Sequence, residues 1–321
     1  MATAQVTPLH GSPDRIRVVT AASLFDGHDA AINIMRRILQ SLGAEVIHLG
    51  HDRSVEEIVE AALEEDAHAV AVSSYQGGHV EFFQYLVDRL RENGAEQVRV
   101  YGGGGGTIVP EEIEALHAYG VARIFSPEDG RTLGLEGMIQ TIVDECRETA
   151  VLPLPAEVVD GLSASAPRSV ARAITSLEAE GDSDAGARVR ATLTEQASTT
   201  QIPVIGFTGT GGAGKSSVVD EIVRRFRLDF PDRRIGLLLV DPSRRKTGGA
   251  LLGDRIRMNA ISGDGVFARS LATRQAHLAL SRAVNDAVLV LKAAGFDLVL
   301  VETAGIGQSD SEIVDLADAS V

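Results

Sequence analysis

Residues 16–43 read "IRVVTAASLFDGHDAAINIMRRILQSLG". A β-branched apolar run gives way at Leu24 to the polar turn "FDGHD". An amphipathic stretch follows, with apolar residues at Ile32, Met35, Leu39 and Leu42 and a stop at Gly43. That order predicts a buried strand, a tight loop and a helix with one apolar face. The loop sets His28 at the tip of the strand with the carboxylate of Asp26 two positions before it, a pairing that neither helix nor strand requires.

The same unit recurs to about Thr149. Strand-like "AEVIHLG", "AHAVAVSS", "VRVYGGGG" and "VARIFSP" alternate with helix-like "SVEEIVEAALEED", "HVEFFQYLVDRLRENG", "VPEEIEALHAYG" and "LEGMIQTIVDECRE". Five strand-helix units at this spacing force right-handed crossovers and a parallel sheet covered on both faces. Ligands of such sheets sit at the carboxyl ends of the strands, where "FDGHD", "SSYQGGH" and "GGGGGT" fall. Residues 150–200 change character, with Pro, Ser, Ala and acidic residues around short amphipathic pieces, and are expected to form a partly helical linker. From Ile202 the alternation restarts. "IPVIGFT", "RRIGLLLVDPS" and "FDLVLVETAG" read as strands, and 268–295 read as one helix. With about three strands visible before Val321, this second α/β domain (201–321) is expected to be incomplete.

Composition bounds the chemistry. In 321 residues, 44% hydrophobic and 23% charged, two cores are expected, and 4% aromatics with no Trp suit aliphatic parallel sheets. A net charge of −15 argues against nucleic-acid binding by phosphate neutralisation. The single cysteine, Cys146, rules out a disulfide framework or a multi-Cys zinc site and is expected to be a small buried apolar residue. No apolar run approaches a membrane span and no basic-then-apolar leader opens the chain, so a cytoplasmic location is expected. His48, His51, His68, His79 and His117 lack metal-type spacing and are read as surface or packing residues.

Gly209–Ser216, "GTGGAGKS", fits G-x-x-x-x-G-K-[ST] between a strand and a helix. In such a loop, Gly209, Gly211, Gly212, Ala213 and Gly214 let successive N–H groups face phosphates. Lys215 meets the terminal phosphates, Ser216 ligates Mg²⁺, and Ser217 follows in the helix start. Asp241 and Glu302 stand at strand ends, placed to hold Mg²⁺ or its water.

Together with "DPSRRKTGGALLGDRIRM" and "ETAGIGQ", this motif resembles the G proteins that serve cobalamin-dependent mutases. The resemblance implies Asp241, Asp254, Glu302 and Thr303 near Mg²⁺, Arg257 near the phosphates, a mobile switch over 243–257, and GTP hydrolysis with Lys215 and Glu302 in the catalytic set. No Asn-Lys-x-Asp segment is present, so guanine is implied by the resemblance alone.

The first domain resembles the flavodoxin-like cobalamin-binding domains, whose loops read Asp-x-His-x-x-Gly, Ser-x-Leu and Gly-Gly. That implies His28 as the cobalt ligand, Asp26 on its other nitrogen, and Gly27, Ser73, Tyr75, Gly105 and Gly106 along the cofactor. Ala31 stands where the pattern has Gly, and Tyr75 where it has Leu. A cobalamin domain (15–149) ahead of a G domain is the arrangement of the fused isobutyryl-CoA mutases. This implies adenosylcobalamin, GTP/GDP and Mg²⁺ as cofactors, an acyl-CoA-binding barrel in cis beyond residue 321, and a homodimer. A cobalamin carrier or sensor with regulatory GTP binding, and a stand-alone GTPase with a docking domain, remain alternatives.

Overall fold

The computed structural model describes residues 16–149, 159, 161–199, 201–242, 249–273, 277–303 and 316–321. The first unit runs β1 (Arg17–Ser23), α1 (Asp29–Ser41), β2 (Glu45–Arg53), α2 (Val55–Glu64), β3 (Ala69–Ser73), α3 (His79–Glu92), β4 (Arg99–Gly103), α4 (Pro110–Tyr119), β5 (Arg123–Phe125) and α5 (Pro127–Thr149), the last kinked at Gly134. All its strand pairs are parallel, in the order β5-β4-β3-β1-β2. Every residue of β1 is buried, as a strand covered on both faces requires. Helices α2, α3 and α4 supply the core on one face, while α1 and α5, with Cys146, supply it on the other. Because chain order reverses between β1 and β3, the loops after these two strands open a crevice between them. Those loops carry "FDGHD" and "SYQGG".

The second unit runs α6 (Pro167–Glu180), α7 (Asp184–Ala197), β6 (Val204–Phe207), α8 (Lys215–Asp229), β7 (Ile235–Pro242), β8 (Ala250–Leu252), β9 (Val266–Thr273), α9 (His277–Ala294), β10 (Leu298–Thr303) and β11 (Ala319–Ser320). Its sheet has the parallel order β11-β6-β10-β7-β9. Among the described residues this sheet therefore has five strands where about three were expected. The difference lies mainly in β9, which the sequence reading assigned to the start of a long helix. Phe267 and Leu271 enter the core that holds α9, while Val266 and Ala268 enter the opposite core with α8. This two-residue alternation is a strand pattern; Ala and Leu with good helix propensity masked it.

Helices α6 and α7 lie in the segment expected to act as a linker. Val170, Ile174, Leu177, Val189 and Leu193 pack into the second core beside α9, and Arg190 forms a two-pronged ion pair with Asp286.

β8 leaves its own unit. It pairs parallel to β2 with the register Glu45↔Ala250, Val46↔Leu251 and Ile47↔Leu252, and so becomes a sixth strand on the first sheet. The family resemblance implied a mobile switch over 243–257. Residues 243–248 lie outside the described residues, but Ala250 and Leu252 are fully buried in the first unit's core. Gly249 makes the close approach possible, since a Cβ there would lie 2.1 Å from the Gln40 carbonyl oxygen.

Beneath β8 the two units share a buried charge cluster. Glu65, 0% exposed, accepts from Arg17 Nη1 (2.8 Å), Ser270 Oγ (2.8 Å) and the Ser270 N–H (3.0 Å), and it faces Arg255 and Arg269 at 3.5 and 4.0 Å. Arg17 also pairs with Glu45 (2.9 Å), Arg255 with Glu64, and Arg269 with Glu178 (3.2 Å). Removing a shared partner strands buried cations. We therefore expect Glu65→Ala to lower stability by about 3–5 kcal/mol in chemical denaturation. A loss under about 1 kcal/mol, the size expected of a surface pair, would contradict this role.

Candidate functional site

The first loop is built around one buried carboxylate. Asp26 is 0% exposed although three residues from the rim. Its Oδ1 accepts from the His28 N–H (2.9 Å) and lies 2.8 Å from His28 Nδ1, and its Oδ2 accepts from the Tyr75 N–H (2.6 Å). Burial disfavours its charge, but the Tyr75 and His28 hydrogen bonds outweigh this and hold the carboxyl below its ordinary range. Asp26 thus ties the loop after β1 to the loop after β3. It also fixes the His28 ring, whose side chain is 70% exposed, with Nδ1 turned inward. A donor on Nδ1 leaves Nε2 as the nitrogen able to meet an electrophile or metal.

Beside His28 the Tyr75 ring stands with centroids 5.6 Å apart. Behind it lies a cavity of about 180 Å³, bounded by Ile32, Met35 and Leu39 of α1, Ser73, Gly102–Gly105, Phe125, and Met138 and Ile142 of α5. One wall is bare backbone: a Cβ on Gly104 would come within 1.9 Å of the Ser74 carbonyl oxygen. Ser73 Oγ is buried with no hydrogen-bond partner among the described residues. An apolar slot with one unspent hydroxyl, opening beside an oriented imidazole, fits a long ligand that is mostly apolar and has a polar tail. Gly105 lines the slot with φ 59. Gly106 is not part of that lining, and Gly27 makes no close approach. The sequence reading missed the α1 and α5 residues of the slot, whose helical spacing marks them only as core.

Four of the five other histidines singled out in the sequence have structural partners, and His51 is exposed. His48 Nδ1 lies 3.0 Å from Thr20 Oγ1, His68 Nδ1 accepts from the Arg17 N–H, His79 Nε2 lies 2.9 Å from Glu112, and His117 Nε2 accepts from the Ile124 N–H.

The second site gathers at the carboxyl ends of adjacent strands β6, β10 and β7. Gly209, Gly212 and Gly214 take φ of 139°, 83° and 94°, so the loop 208–214 curls into the start of α8. Gly211, Ala213 and Ser217 are exposed around it. Lys215 Nζ donates to the carbonyls of Gly209 (2.8 Å) and Thr210 (3.2 Å). Ser216 Oγ donates to Glu302 Oε1 at 2.6 Å, and Thr303 Oγ1 to the Phe207 carbonyl at 3.3 Å. Glu302 Oε2 and Asp241 Oδ2 are both buried without hydrogen-bond partners among the described residues. Burial raises both carboxyls, Asp241 to about 7, with the Arg257 charge opposing.

Two orphaned carboxylate oxygens beside a hydroxyl suit a hard cation completed by phosphate oxygens and water. Among the described residues no group of three or more His, Cys, Asp or Glu is arranged to hold a metal alone. Arg257 is exposed on the 3₁₀ turn Asp254–Arg257, which carries the backbone of Asp254; the Asp254 side chain and residues 304–308 of "ETAGIGQ" lie outside the described residues.

The two sites define a cobalamin-type domain joined to a phosphate-loop GTPase-type domain. Residues 16–132 match the B12 binding domain family, and residues 170–321 match the family of the methylmalonyl-CoA mutase-associated GTPase MeaB. Over nearly its whole length the chain is similar to proteins named fused isobutyryl-CoA mutase. It is 57% identical over 310 residues to the one from Geobacillus kaustophilus (95% of this chain), 56% over 315 residues to the one from Cupriavidus metallidurans (98%), and 56% over 314 residues to the one from Nocardia farcinica (98%). It spans only 28%, 28% and 29% of the length of these relatives.

Lys215→Ala removes the one cation seated within the phosphate loop. We expect it to weaken Mg²⁺–GTP binding by about 2 kcal/mol in calorimetry, the size of a charge-assisted hydrogen bond. Unchanged affinity would contradict the phosphate-cradle assignment.

Proposed function

We propose that residues 15–149 bind adenosylcobalamin with His28 as the lower cobalt ligand, and that the G domain binds and hydrolyses GTP with Mg²⁺ to gate loading and protection of that cofactor. The observation that carries the cobalamin reading is the Asp26–His28 pair at the mouth of the apolar slot. Asp26 holds the ring tautomer and raises its basicity; Ser73, Tyr75 and Gly105 face the tail in the slot. When bound, the cofactor supplies radical chemistry for rearranging a carbon skeleton.

Lys215 and the loop N–H groups hold the nucleotide phosphates. Ser216, Asp241, Glu302 and, through the family resemblance, Asp254 and Thr303 surround Mg²⁺, with Arg257 toward the phosphates. The whole protein is proposed to convert isobutyryl-CoA to n-butyryl-CoA on an acyl-CoA barrel joined in cis, as a cytoplasmic homodimer. Support comes from the relatives' names and the two matched families. In this reading 150–200 connects the domains while α6 and α7 pack on the G domain.

Gating has a physical route. Asp241 stands at the nucleotide site, and further along the chain β8 adds an edge strand to the first unit's sheet, with Arg255 beyond it paired to Glu64. A conformational change at the phosphates therefore acts on the first domain without an intermediary.

The test is optical. Cobalamin added to the protein should show the visible bands of a histidine-ligated form, and His28→Ala should remove them. A variant with the same spectrum and affinity would overturn the ligand assignment, and an unaltered protein that binds no cobalamin would overturn the cobalamin reading.

A further inference from the structure

Phe25 stands one residue before Asp26, with φ 64 and its ring 76% exposed. The left-handed region disfavours L residues other than Asn and Asp, and glycine meets it without strain. Folding alone would favour one of those at this position. The strain is built in from both sides: the Phe25 N–H donates to Asp52 Oδ1 at 2.7 Å, Gln76 Nε2 donates to the Phe25 carbonyl, and Asp52 itself has φ 58. The end of β2 and the loop after β3 thus pin the peptide units around a residue that buries little in the fold. Within five residues the chain buries Asp26 fully and presents Leu24, Phe25 and His28 outward. Strained residues that a fold over-determines cluster at ligand sites.

Resting on the cobalamin reading, we propose that Phe25 is a corrin-bearing residue, whose ring packs against the macrocycle and sets how it seats over His28. The geometry follows from ligation: a planar macrocycle centred on the outward nitrogen of His28 must overlie whatever flanks that imidazole. Phe25 and Leu24 are the exposed apolar side chains of the same loop. A flat, largely apolar edge gains from an aromatic ring carried on a backbone that is already fixed, because less freedom remains to be lost on binding.

The test titrates cobalamin into the protein carrying Phe25→Ala, Phe25→Gly or Phe25→Tyr, with thermal melts of each without cofactor. Phe25→Ala and Phe25→Gly should weaken cobalamin binding by at least about tenfold, the loss expected for removing one well-buried aromatic contact. Phe25→Tyr should restore most of the affinity. Phe25→Gly should melt no lower than the unaltered protein, because glycine relieves the left-handed strain. If the unaltered protein binds with the histidine-ligated spectrum and Phe25→Ala and Phe25→Gly bind equally well, this assignment falls and the site reading stands. If the unaltered protein binds no cobalamin, both fall.

Discussion

The carboxylate of Glu65 is the point on which the arrangement of the two units turns. It is fully buried, it terminates α2 of the first unit, and its partners come from β1, from the 3₁₀ turn and from β9. A charge so placed is tolerated only while its partners stay in register, because the interior cannot supply the hydration it lost. Placing β9 and the turn correctly also places β8 against β2. One ion cluster therefore specifies that two parallel sheets, each with its own core, sit together in a single orientation. Whether the cluster adds net stability over an apolar interface is secondary to this specificity.

The same placement ties each ligand site to the cluster along the chain. β1 begins at Arg17 in the cluster and ends at the loop carrying Asp26 and His28. β7 carries Asp241 next to its last residue, Pro242, and further along the chain β8 leads to Arg255. Both sites lie at carboxyl ends of strands, and both leave polar atoms unsatisfied: Ser73 Oγ in the slot, Asp241 Oδ2 and Glu302 Oε2 beside the phosphate loop. Buried polar atoms without partners are costly in a folded chain. Ligands bound at these two places would supply the missing partners.

Much of this was legible in the sequence because the relevant signals are local. Alternating strand and helix periods announced two parallel-sheet units but only about three of the second sheet's strands, and the loops "FDGHD" and "GTGGAGKS" fall at the carboxyl ends of strands as expected. The Asp26–His28 pair is two residues apart, so its geometry is nearly dictated by the turn. What escaped has long-range causes. β9 carries Ala and Leu that favour a helix in isolation, and its pairing with β7 decides otherwise. Ala250–Leu252 is too short to announce itself and is a strand because β2 offers a free edge. The burial of Arg17, Glu65 and Arg269 is not legible in the sequence, since nothing in their neighbourhood along the chain reveals partners up to 253 residues away.

The central claim is that cobalamin and nucleotide sites are energetically linked through this shared interface. The most direct measurement is calorimetric titration of cobalamin into the protein saturated with GDP and, separately, with a non-hydrolysable GTP analogue, together with the reciprocal nucleotide titrations with and without cobalamin. The account predicts that cobalamin affinity differs between the two nucleotide states and that bound cobalamin shifts the relative nucleotide affinities by the same factor. Identical cobalamin affinity in both nucleotide states would contradict it.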